Sequence, residues 1–118
     1  MKEHIMRLRT APFEKIKAGK KTIELRLYDE KRQQIAVGDT IRFVNTENSA
    51  EVLFAIVKNL YLFDSFEELY NALPLTECGY TEEELSIASY RDMELYYSEE
   101  EQKRYGVVGI KISLREER

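Results

Sequence analysis

The sequence predicts an α+β fold: a small, mostly antiparallel β-barrel or curved sheet decorated with short helices. Three observations support this. Strand-like runs occupy much of residues 4–62 and return at 107–114, whereas helix-capping signatures gather between residues 65 and 101. The resulting order, β-α-β-β-β-α-α-α-β, lacks the regular alternation of a doubly wound parallel sheet. The length of 118 residues suits one domain, residues 1–118, with one core, and no linker or repeat divides it.

Each element has a local reason. Residues 4–9 read as a first strand. Thr10 is placed as the N-cap of a short helix opening at Ala11-Pro12-Phe13, since proline fits a first helical turn. Phe13, Ile16 and Lys17 follow helical spacing, and Gly19 is expected to end the helix in a left-handed conformation. A strand over residues 22–28 follows, then the charged turn Asp29-Glu30-Lys31-Arg32. Val37-Gly38-Asp39 is a second turn, leading into a strand over residues 40–44. A polar hairpin loop at 45–49 precedes an apolar strand over 50–62, long enough that a bend is expected. Ser65-x-x-Glu68, Thr81-x-x-Glu84 and Ser98-x-x-Glu101 are capping boxes, with Ser89-x-x-Asp92 a looser case. Phe66, Leu69, Tyr70 and Leu73 form an apolar stripe that Pro74 ends. Gly106 closes the last helix before a strand over 107–114, and residues 115–118 are expected to fray.

Composition excludes several classes. Hydrophobic residues make up 43% of the chain, enough for a globular core. No run approaches the roughly 18 apolar residues of a membrane span, and Met1 to Ile5 lack a signal-peptide apolar region. Lone Cys78 has no internal disulfide partner, so a reducing, cytoplasmic setting is expected. One cysteine and one histidine make a Cys/His zinc site unexpected, and no EF-hand, P-loop or dinucleotide fingerprint is present. A carboxylate-rich magnesium or calcium site is the open alternative; otherwise neither metal nor cofactor is expected. The net charge of −4 argues against nonspecific binding of duplex DNA. Yet the first 45 residues carry eleven Lys/Arg against six Asp/Glu, and the remainder seven against sixteen. Such a split suits an anion-attracting cleft on an acidic body. The plainer alternative is a solvated mixed surface, since acidic first turns also complement helix dipoles.

The segment Gly19-Lys20-Lys21-Thr22-Ile23-Glu24-Leu25-Arg26 concentrates the chemistry. Strand alternation puts Glu24 and Arg26 on one face with Thr22 and Tyr28, and Ile23, Leu25 and Leu27 on the other. Lys21 precedes the strand at the turn. The pattern Gly19-x-Lys21-x-x-Glu24-x-Arg26 resembles the signature of the ASCH domain, named for homology to the activating signal cointegrator. Asp92-Met93-Glu94-x-Tyr96-Tyr97-Ser98 and Tyr105-Gly106-Val107-Val108-Gly109-Ile110 resemble the C-terminal part of a small bacterial group of that family. The resemblance implies a PUA-like β-barrel with a cleft on the motif side that binds RNA or nucleotides. One branch of the family is a small amidohydrolase that deacetylates acetylcytidine. Its catalytic lysine falls on Lys21, but its threonine nucleophile falls on Glu24, so a threonine mechanism is not carried over. Thr22 lies one full alternation away, roughly 6.6 Å along the strand, and is not substituted for it.

These residues admit several roles. Lys21 suits a phosphate, an oxyanion or proton abstraction, against the plainer reading of an exposed turn lysine. Glu24 suits acceptance of an exocyclic amine, general-base work, or pairing with Arg26. Arg26 suits bidentate phosphate contact or base stacking. As a plain surface pair, Glu24 and Arg26 would contribute at most about 1 kcal/mol. Lys20, Arg32 and Tyr28 are further candidate ligand contacts, and Tyr96, Tyr97 and Tyr105 are candidate stacking groups, set against solvated or core roles. His4 has no evident partner in the sequence, and a lone terminal histidine argues against a nucleophile-His-acid triad. The leading expectation is binding of RNA, a nucleotide or a modified nucleoside, with single strands preferred over duplex. The alternatives are an amidohydrolase using Lys21 and Glu24, and a protein-interaction module using the acidic helices of residues 60–105.

Overall fold

Alternating apolar residues build the strands, and short capped runs build the helices. In the computed structural model, which describes residues 1–115, the strands are β1 (Glu3–Leu8), β2 (Ile23–Leu27), β3 (Thr40–Asn45), β4 (Val52–Phe63) and β5 (Val107–Leu114). The α-helices are α1 (Thr10–Lys17), α2 (Phe66–Ala72) and α3 (Glu99–Tyr105). Single 3-10 turns occupy Arg32–Gln34, Glu83–Ser86 and Tyr90–Leu95. The strands form one sheet in the order β1-β3-β4-β5-β2. Only the β1–β3 pairing is parallel; β3–β4, β4–β5 and β2–β5 are antiparallel. The sheet curls into a half-barrel, the α+β architecture expected from the element order. Among the described residues no helix is long and apolar enough to cross a membrane.

Apolar parity divides the core into two clusters. Met6, Leu8, Phe13, Ile16, Ile41, Phe43, Val57, Val108 and Ile110 fill one, with α1 contributing Phe13 and Ile16. Ile23, Leu25 and Leu27 join Phe66, Leu69 and Val107 in the other, beneath α2. Strand β2 is consequently buried on both faces: its apolar parity feeds the second cluster, while Glu24 on the opposite parity is only 2% exposed. Strands β1 and β2 are the outer strands of the sheet, and α1 connects them.

Several local expectations need correction. Thr10 is the first residue of α1, not its cap; its hydroxyl instead donates to Asn45 Oδ1 at 3.1 Å. Gly19 does end the helix. Its φ of +77° lets the N–H groups of Gly19 and Lys20 reach the carbonyls of Ile16 and Lys15, at 3.0 and 2.9 Å, in a Schellman arrangement. Strand β4 breaks register between Val57 and Asn59, which gives the bend expected of so long a strand its place. Ser65 caps α2, but Glu68 reaches back to the N–H of Asp64, not of Ser65. The boxes at Thr81/Glu84 and Ser89/Asp92 form, yet they open 3-10 turns and not α-helices. A cap satisfies the first N–H groups but does not propagate a helix without an apolar face to bury, and both turns lack buried residues. Arg115 is not frayed: its N–H meets the Phe54 carbonyl at 2.8 Å and its guanidinium lies 4.5 Å from the Phe54 ring centroid. Residues 116–118 lie outside the described residues. His4 has a partner that the sequence did not reveal, Asp39, at 2.8 Å. Hydrogen bonds from His4 and from the N–H groups of Ala36 and Lys2 hold the Asp39 carboxyl down at about 2.

Candidate functional site

Lys21, Glu24 and Arg26 converge. The Lys21 ammonium lies 2.7 Å from Glu24 Oε1, and Arg26 donates to Oε2 from Nε at 2.9 Å and Nη2 at 2.7 Å. Arg26 Nη2 also reaches the carbonyl of Arg7 at 3.1 Å, so one side chain spans the gap between the two outer strands. Burial pushes the Glu24 carboxyl up, but the two adjacent cations and their hydrogen bonds outweigh it and bring it down to about 2. For Arg26, burial works against the charge and Glu24 outweighs it, with Tyr97 a lesser contributor, so the guanidinium is raised above its ordinary value. Glu24 therefore remains an anion, with both oxygens occupied.

The loop after α2 completes the floor. Gly79 has a φ of +113°, and a Cβ there would stand 3.3 Å from Lys21 Cδ, so the glycine gives the lysine stem its channel. Lys15 of α1 donates to the Gly79 carbonyl at 2.6 Å. Cys78 is buried beside this floor, and burial pushes its thiol up to about 11, away from thiolate reactivity. The loop is tied to β2 from outside the cleft: the Thr22 hydroxyl meets Glu77 Oε1 at 2.9 Å, and Lys111 donates to both.

Aromatic residues make the facing wall. Tyr70 and Tyr80 share a hydroxyl contact of 2.7 Å, and Tyr80 donates to Asp92 Oδ2 at 2.7 Å. Burial pushes Tyr70 up to about 12 and raises Tyr80 further, so both stay protonated at neutral pH. Tyr97 stacks on Phe66 with ring centroids 6.0 Å apart. Between floor and wall lies a cleft of about 490 Å³, to which Lys21, Glu24, Arg26, Tyr96 and Tyr97 all contribute lining. Among the described residues, no three His, Cys, Asp or Glu side chains gather as a metal site.

The other sequence candidates lie elsewhere. Lys20 is exposed and does not line the cleft. Arg32 sits on a 3-10 turn, pairing with Asp29 at 2.8 Å, and its buried Nε has no partner among the described residues. Tyr28 packs on the first core cluster and, with Tyr105, borders a separate polar depression. Sequence reading missed Arg7, Arg9, Lys15, Tyr70 and Tyr80 as lining residues. The two arginines carried a signal, since they share a strand parity; the tyrosines did not, because only the tertiary fold brings α2 and its following loop over β2.

Comparison with known proteins meets this geometry. A sequence model of the ASCH domain matches residues 6–116. The chain belongs to the ASCH domain family. Within it, this ASCH domain is similar over its length to the hypothetical protein PH0355, whose crystal structure is 37% identical, with 98% of this chain and 100% of that one covered and a TM-score of 0.78. It is also similar to the solution structure of PF0455 from Pyrococcus furiosus, at 35% identity, 98% and 99% coverage and a TM-score of 0.72. The ASCH protein of Zymomonas mobilis shares 23% identity, with 98% of this chain and 68% of that one covered and a TM-score of 0.62, a likeness that speaks for the fold alone. No curated protein matches the chain.

Proposed function

We propose that this ASCH domain binds RNA or a nucleotide-like ligand in the cleft, seating an acceptor-rich edge against Lys21 and Arg26. One observation carries the reading: two cations share one buried carboxylate, so this trio keeps a net charge of +1 at the floor of a cleft with an aromatic wall. Glu24 is almost wholly buried and engaged on both oxygens, so it acts by holding the two donors and not by reading a ligand's amine. Lys21 keeps ammonium protons beyond the one given to Glu24, and they serve a carbonyl or phosphate oxygen. Tyrosine rings suit a base face. Unstacked bases of single strands reach such a cleft, whereas duplex bases do not.

The test is binding of single-stranded RNA and of nucleosides, followed by fluorescence anisotropy and NMR. Arg26→Lys keeps a counter-charge for Glu24 but removes the guanidinium fork, and a thermal melt establishes that it folds. The expected outcome is a loss of roughly tenfold or more in affinity. Wild-type protein that binds neither probe at physiological salt, or an Arg26→Lys variant that binds like wild type, sinks the reading. The hydrolytic alternative, with Lys21 and Glu24 as its catalytic pair, has no separate support, because both Glu24 oxygens are already engaged by Lys21 and Arg26. Incubation with acetylcytidine, read by mass, gives unchanged substrate if binding is the whole function.

A further inference from the structure

The mouth of the cleft carries three exposed side chains that the Lys21–Glu24–Arg26 floor does not use. Arg7, near the end of β1, and Arg9, two residues on, both line the cleft with exposed side chains. The nearest carboxylate to Arg9 is Glu47 at 3.9 Å, in a pair 80% and 52% exposed and so weakened by solvent. Tyr96 also lines the cleft while 67% exposed. The carboxylates on that wall are already engaged: Asp92 accepts from Tyr80 and from the Ser89 N–H, and Glu84 accepts from the Thr81 N–H. The mouth thus combines two loosely partnered guanidinium groups with an exposed tyrosine ring. Guanidinium groups hold phosphates and aromatic faces stack bases, which is how proteins bind extended single strands.

We propose that the mouth is a second nucleotide subsite, in which Tyr96 stacks on the base next to the one in the cleft and Arg7 and Arg9 hold the connecting phosphate. The ligand is then an extended single-stranded RNA of at least two nucleotides, not a mononucleotide. This rests on the cleft reading above and adds residues and a ligand length to it. All three side chains are exposed, so their replacement leaves the core intact.

The experiment titrates wild-type protein, Tyr96→Ala, the double variant Arg7→Gln/Arg9→Gln, and Arg26→Lys with nucleosides, their 5′-monophosphates and single-stranded RNA hexamers. Wild-type protein is expected to bind a hexamer at least tenfold more tightly than the monophosphate. Tyr96→Ala is expected to weaken the hexamer by roughly tenfold and the double arginine variant to flatten its salt dependence, each with a smaller effect on nucleosides than on the hexamer. Hexamer and monophosphate binding alike, or hexamer affinity indifferent to both mouth variants, overturns the subsite. If nucleosides then still bind and Arg26→Lys still weakens them, the cleft reading stands without the mouth. A wild-type protein that binds no probe overturns both, and the missing nucleoside signal identifies the cleft reading as the one that failed.

Discussion

The half-barrel and the segment joining β4 to β5, residues 64–106, are stabilised by different means. The half-barrel is a hydrogen-bonded ladder around fully buried side chains such as Phe43, Ile41 and Val57. Outside α2, the joining segment relies on capping boxes, tyrosine hydroxyl contacts and short 3-10 turns, and leaves Ile87 and Leu95 largely uncovered. The cleft lies where the two meet, with its charged floor on the stiff side and much of its aromatic wall on the other. Such a division lets a binding site keep fixed charges while its wall adjusts to a ligand.

Substitutions can break or sharpen this contrast. The largest effect is expected at Phe43→Ala, which should lose about 3–5 kcal/mol in chemical denaturation, since the ring is fully buried. Next comes acid. Glu24 titrates near 2 when folded against an ordinary 4.5, so its contribution, about 3 kcal/mol, is present above pH 4.5 and lost as pH falls toward 2. Glu24→Gln should flatten that limb of the stability curve between pH 4.5 and 2. Gly79→Ala, where a Cβ meets both an unfavourable φ and the Lys21 stem, should cost about 1–3 kcal/mol in the same measurement. Ser98→Ala removes a cap from α3 and should cost about 1 kcal/mol. Leu95→Ala, at 85% exposure, should stay within about 0.5 kcal/mol. Amide exchange should run faster through the 3-10 turns than in β4 and β5. If Leu95→Ala cost as much as Phe43→Ala, the contrast would be gone.

Legibility in the sequence follows the same contrast. Strand parity, turn glycines and capping boxes are local, and they placed β2, β3, the bent β4, α2 and the Schellman turn at Gly19. Strand parity put Glu24 and Arg26 on one face, whereas Lys21, ahead of the strand, joins them only through the fold. What remained hidden depends on distant partners. The Asp39 partner of His4, the engagement of Thr22 by Glu77 and Lys111, and the arrival of Tyr70 and Tyr80 over β2 span long stretches of chain. The 3-10 turns were misjudged for another reason: a capping box marks where a helix can begin but says nothing of whether a buried face will carry it onward.

Helix α1 joins the two outer strands of a five-stranded sheet, and Phe13 and Ile16 anchor it in the core beneath. The two outer strands do not pair with each other, so the bond from Arg26 Nη2 to the Arg7 carbonyl at 3.1 Å acts as a clasp across the open seam of the half-barrel. One guanidinium thus both fastens that seam and neutralises Glu24.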